Sequence, residues 1–146
     1  MKKRVFLLLC GTILLPFLSA CKGSMPSIPG GSDAIISSLT STLGVTEKQA
    51  QGGVGSILTL AQEKLAAGDF DKIAAVIPGS KKYLDMAKSL GAVTGQVGNL
   101  AGLNSALGRL GITPDKAAKF VPAVTDFVGK AGGPEVGKLL SGALSG

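Results

Sequence analysis

The chain of 146 residues carries 15 Lys and Arg against 9 Asp and Glu, a formal net charge of +6, and has 22 glycines, no tryptophan and no histidine. The missing histidine excludes a Cys/His zinc site, a Ser-His-Asp triad and the usual proton shuttle, so neither a metal nor another cofactor is expected. With Lys81-Lys82 as the one Lys/Arg pair beyond the N-terminus and few aromatic residues, no phosphate-binding or base-stacking surface is expected, and nucleic acid is not a predicted partner.

Lys2, Lys3 and Arg4 precede Val5 to Leu18, fourteen residues without a charge. This is the charged and apolar pattern of an export signal, and it is shorter than the roughly 20 apolar residues that a spanning helix needs. Pro16 interrupts it further. The run ends in Leu18-Ser19-Ala20-Cys21, which resembles the lipobox of bacterial lipoproteins, Leu-[Ala/Ser]-[Gly/Ala]-Cys, at all four positions. The resemblance implies diacylation of the Cys21 thiol, cleavage after Ala20 and acylation of the new amino group. Residues 1–20 are then a cleaved signal peptide, and a palmitate-class lipid on Cys21 holds the protein to a membrane of the cell envelope. One acyl chain anchors only marginally, at about 0.8 kcal/mol per buried methylene, whereas two or three give stable attachment. Cys10 follows Leu9, which is not small, and is read as part of the signal. Lys22 stands where inner-membrane retention would call for Asp, so in a cell with two membranes the expected site is the periplasmic face of the outer one. Processing leaves twelve basic and nine acidic residues, and a single cysteine without a disulfide partner.

Residues 21–32 comprise the lipidated cysteine and a Gly/Pro/Ser-rich tether, Lys22 to Ser32. A helical domain is predicted over 33–146. Ser32 is a candidate N-cap for a helix from Asp33 to Leu43, with Gly44 as its stop. Thr46 and Gln49 form a candidate capping box for a second helix that runs to about Ala66. Inside it, Gly52, Gly53 and Gly55 each cost roughly 1 kcal/mol relative to alanine, which predicts close approach of another backbone. Asp69 is expected to cap Phe70 to Ile77, which Pro78-Gly79 ends, and Ser80 to cap Lys81 to Leu90.

From Ser89 to Gly108 there are twenty residues without a charge. Leucines and valines at three and four residue steps predict a soft helix broken near Gly98 and packed in the middle of the domain. Two GxxxG pairs, Gly91/Gly95 and Gly98/Gly102, raise the alternative of lipid contact.

Leu43-Gly44-Val45-Thr46 returns as Leu110-Gly111-Ile112-Thr113, an offset of 67, and Ala50, Val54, Ile57 and Ala61 align without a gap with Ala117, Val121, Val124 and Val128. This is an internal repeat over 43–79 and 110–146. In the second half Thr113 is the expected N-cap, Pro114 the first helical residue, and Pro122 a point of bending. Pro134 starts a last helix to about Leu144. The segments LGVTEKQAQGGVGSILTLAQEKL, IPG at 77–79, LGITPDKAAKFVPAVTDFV and GGPEVGKLL together resemble the VcgC/VcgE family of bacterial proteins of unknown function, over about residues 35–145. That resemblance implies one helical unit and carries no activity with it.

The expected fold is all-α: a bundle of about six helices built from two related long-helix/short-helix halves. The expected function is that of a membrane-anchored, non-enzymatic envelope lipoprotein whose helical domain contacts another envelope component. A carrier or sensor of an apolar ligand or lipid is the alternative. Catalysis would have to rest on a Ser-Lys pair or on carboxylates such as Asp69 with Asp71, or Asp115 with Asp126; Asp69 fits a helix cap better, and Asp71 and Asp115 fit solvated first turns.

Overall fold

The computed structural model describes residues 32–146, so the expected signal peptide, Leu18-Ser19-Ala20-Cys21 and the expected tether up to residue 31 lie outside the described residues. Within that span there are seven helices and no strand: α1 Ser32–Leu43, α2 Glu47–Lys64, α3 Ala67–Val76, α4 Ser80–Ser89, α5 Leu100–Arg109, α6 Pro114–Gly132 and α7 Pro134–Ser145. The all-α class holds, with one helix more than the six expected.

The boundaries follow local chemistry. Gly44 takes φ +60°, which ends α1 and turns the chain into α2. At the start of α2 the Thr46 hydroxyl accepts from the Gln49 amide and the Gln49 side chain accepts from the Thr46 amide, the reciprocal box read from the sequence. Two predicted caps are corrected. α3 begins at Ala67, because the Ala66 carbonyl already accepts from the amides of Asp69 and Phe70, both at 3.0 Å; the Asp69 carboxylate turns instead to Lys72. α4 begins at Ser80 itself, since Gly79 occupies the cap position at φ +82°. Thr113 does stand at the N-cap of α6, but its hydroxyl makes no capping bond. Helix α6 continues through Pro122 as one element.

The largest departure lies between α4 and α5. No helix forms from Gly91 to Gly98; Gly91 and Gly98 take φ +68° and +71°, and α5 starts only at Leu100, where the Asn99 side chain accepts from the Gly102 amide. The connection is irregular but fastened. Ala92, Val93 and Val97 are buried, and the Glu63 carboxylate at the end of α2 accepts the amides of Val97 and Gly98 at 2.9 and 2.7 Å. A GxxxG reading of this stretch fails because two of its four glycines serve left-handed turns, and a third, Gly102, sits against the Val97 carbonyl. Among the described residues no helix is long and apolar enough to cross a membrane.

The repeat is wider than the sequence suggests. With the offset of 67, α2 superposes in sequence on α6 and α3 on α7, and α1 falls on α5; each half has three helices, and α4 has no counterpart among the described residues. The halves are interleaved, with α1 on α6 as α5 is on α2, and α3 on α6 as α7 is on α2. Matching hydrogen bonds join them. Gln49 Nε2 donates to the Leu110 carbonyl, and Lys116 Nζ, at the equivalent position of α6, donates to the Gly44 carbonyl, both at 3.0 Å. Each long helix thus holds the turn that opens the other, which is a pseudo-two-fold arrangement.

Helix α2 lies at the centre, buried from Gly52 to Ala61. Around it the core is built from Ile35, Leu39, Ile73, Leu103, Leu107, Phe120, Val124 and Leu140, all at 2% exposure or less. The glycines of α2 do what their cost implied. A Cβ on Gly55 would collide with the Tyr83 carbonyl of α4, and one on Gly53 would lie 2.5 Å from the Phe120 ring.

Candidate functional site

Where α2 is covered all round, α6 is not, and the difference creates the candidate site. Leu100, Asn104 and Gly108 of α5 face Ile112, Pro114, Ala117, Ala118, Val121 and Pro122 across a trough of about 450 Å³. Among the described residues no charged side chain lines it. At its far end Leu100, Val121 and Pro122 also border a second hollow of about 290 Å³, closed by Ser141, Leu144 and Ser145 of α7 and flanked by Asp126. Leu100 stands at the junction with 44% of its surface exposed, a large value for a leucine in a domain with a well-filled core.

The first half shows what this place looks like without the apolar character. Residues equivalent to Leu100, Asn104, Gly108 and Pro114 are Asp33, Ser37, Ser41 and Glu47. Of these, Asp33, Ser37 and Glu47 border a smaller, polar hollow of about 290 Å³ together with Ile36 and Thr40. One architectural position therefore carries two carboxylates in one half and Leu and Pro in the other. Inside the trough, Pro122 offers no N–H to the Ala118 carbonyl, so that oxygen lacks its regular helical donor.

The carboxylates named from the sequence are not assembled into a catalytic pair. Asp115 and Asp126 are both on α6, eleven residues and so about 16 Å apart along its axis. Asp69 and Asp71 stand two residues apart on α3 and so point away from each other. Asp69 instead pairs with Lys72 at 2.9 Å, and its hydrogen bond and charge raise the lysine's pKa above the ordinary value. Because that pKa is raised, the small contribution of this exposed pair is present at neutral pH and fades as pH rises through the lysine range. Among the described residues no three Asp, Glu, Cys or His side chains form a metal-binding group.

Leu18, Ser19, Ala20 and Cys21, the residues that resemble a lipobox, lie outside the described residues. The trough was not legible from the sequence by motif. Its one signal was the loss of Asp33 and Glu47 equivalents in the second repeat, visible only once α5 is aligned with α1.

The sequence profile of a family of proteins of unknown function, VcgC/VcgE, matches residues 20–145, and the chain belongs to that family. No curated protein and no solved structure matches the chain.

Proposed function

We propose that this member of the VcgC/VcgE family is a lipid-anchored protein of the cell envelope whose helical domain is a non-enzymatic interaction module. The observation that carries the anchor is the run Leu18-Ser19-Ala20-Cys21 behind fourteen uncharged residues and three cations. Cleavage after Ala20 and acylation of Cys21 would leave a short tether, at most about 36 to 40 Å when extended, between the lipid and α1. The domain then works within a thin layer at one membrane; with Lys22 after the cysteine, that is the periplasmic face of the outer membrane in a cell that has two. Its partner is another envelope component, and the surface offered to it is the α5/α6 trough.

The anchor is tested by metabolic labelling with an alkyne palmitate analogue. Label on the wild-type chain and none on Cys21→Ser supports the reading, and equal labelling of both refutes it. A second reading, a carrier or sensor of an apolar ligand or lipid, is favoured by the trough's uncharged lining and a volume within the range of small-molecule sites. Native mass spectrometry of the purified protein separates the two. A stoichiometric co-purified lipid selects the carrier, and a ligand-free protein selects the interaction module, since an acyl chain lying in a trough open along one side would keep part of its surface wet.

A further inference from the structure

In the first half α4 covers a face of the long helix that, among the described residues, no helix covers in the second half. Gly55 of α2 is buried beneath α4, which packs along that helix, and Gly52, Ser56 and Thr59 nearby on α2 are also buried. A Cβ on Gly55 would meet Tyr83 and Ala87, and one on Gly52 would meet Leu110 and, just after α4, Leu90, so α4 runs antiparallel to α2. The equivalent residues of α6 are Lys119, Pro122, Ala123 and Asp126. Lys119, Pro122 and Asp126 are exposed there. The fold thus already contains the precedent of an antiparallel helix on this face.

The charges on α6 specify which helix. At 100° per residue Asp115, Lys119, Pro122, Asp126 and Lys130 share one stripe about 80° wide. Its order is acid, base, proline, acid, base. Set against a reversed copy of itself about the point between Pro122 and Ala123, every charge meets its opposite. Asp115 faces Lys130 of the second copy, Lys119 faces Asp126 of the second copy, and the two-fold axis doubles both pairs. A parallel copy would set like against like. Beside the stripe, Ala118, Val121 and exposed Leu100 supply the apolar contact that ion pairs at a surface do not. Pro122 replaces the Gly55 that lets α4 touch backbone, so the second helix must pack through side chains at a larger separation.

We propose that the partner of the α6 face is a second copy of this chain, docked antiparallel α6 to α6 with the two-fold axis between Pro122 and Ala123. This contact uses the charged face of α6 beside the trough, not the trough itself, and rests on the interaction reading above only for the confinement that makes a weak pair sufficient. Anchoring two copies to one membrane raises their effective concentration toward the millimolar range.

The test is sedimentation velocity on the chain from residue 21 with Cys21→Ser, which removes the lipid so that failure of the anchor and failure of the pairing read out separately. The expected result is a concentration-dependent dimer below about 1 mM. Lys119→Asp weakens it roughly tenfold or more, because one substitution reverses two symmetry-related pairs, and Asp126→Lys does the same. The fourfold exchange Asp115→Lys, Lys119→Asp, Asp126→Lys, Lys130→Asp restores self-association, yet a labelled exchanged chain does not enter wild-type dimers. Circular dichroism checks that each variant keeps its helicity. A monomer throughout that range, single reversals without effect, or free mixing of exchanged and wild-type chains would each overturn the proposal.

Discussion

Replacing Gly55 by alanine tests the packing at the centre of the domain. The added Cβ would collide with the Tyr83 carbonyl oxygen, lie 2.6 Å from the Tyr83 carbonyl carbon and 2.9 Å from the Ala87 Cβ. Two of those three atoms are backbone, which cannot swing aside as a side-chain tip can, so α4 has to move as a body. Overpacking of this kind costs about 1 to 3 kcal/mol, and a backbone obstacle puts it at the upper end. Alanine returns up to about 1 kcal/mol of helix propensity. The net expectation is a loss of about 2 kcal/mol, which for a domain of this size lowers the melting temperature by roughly 5 to 15 °C. Gly142→Ala in α7 is the matched control, because nothing lies within 4 Å of its added Cβ; it gains the propensity without the collision. Thermal melts by circular dichroism read both. A Gly55→Ala protein as stable as the parent would refute the close α2/α4 approach.

Three other outcomes follow from single contacts. Gln49→Ala loses both the return arm of the capping box and the bond to the Leu110 carbonyl, and should cost about 1 to 2 kcal/mol in urea unfolding, more than Lys116→Ala, which loses the single bond to Gly44. Glu63→Ala frees the amides of Val97 and Gly98, so hydrogen exchange at those two residues should accelerate at least tenfold while the interior of α2 stays protected. Cys21→Ser, in the proposed anchored state, should shift the protein from the membrane pellet to the soluble fraction on cell fractionation; retention in the pellet would point to a lipid contact made by the domain itself.

The parts of the fold that the sequence disclosed are those set by local chemistry repeated at a fixed interval. Gly44 and Gly111 both take positive φ, and Thr46 and Thr113 both stand at N-caps, so the repeated four residues marked two real helix starts. The cost of glycine within α2 likewise announced a neighbour, and Tyr83 is that neighbour. Long-range choices were hidden. Asp69 and Ser80 had the chemistry of caps, but the Ala66 carbonyl and the left-handed Gly79 had already closed those turns. The uncharged stretch after Ser89 had helical spacing, yet its glycines turn the chain and a carboxylate 34 residues away holds it, which no local pattern reveals. The kinship of α1 with α5 was masked because the two share an apolar face, Ile36 with Leu103 and Leu43 with Leu110, but only three identical residues in twelve. Without that kinship the trough cannot be recognised as the apolar version of a polar place.

In the proposed function, Cys21 carries the lipid that fixes this helical domain to the envelope. Intact mass spectrometry of the protein isolated from its own membranes tests it most directly. Lipidation predicts a chain starting at Cys21, heavier than residues 21–146 by a diacylglyceryl group and an amino-linked acyl chain; an unmodified chain of those residues, or one that retains residues 1–20, would refute it.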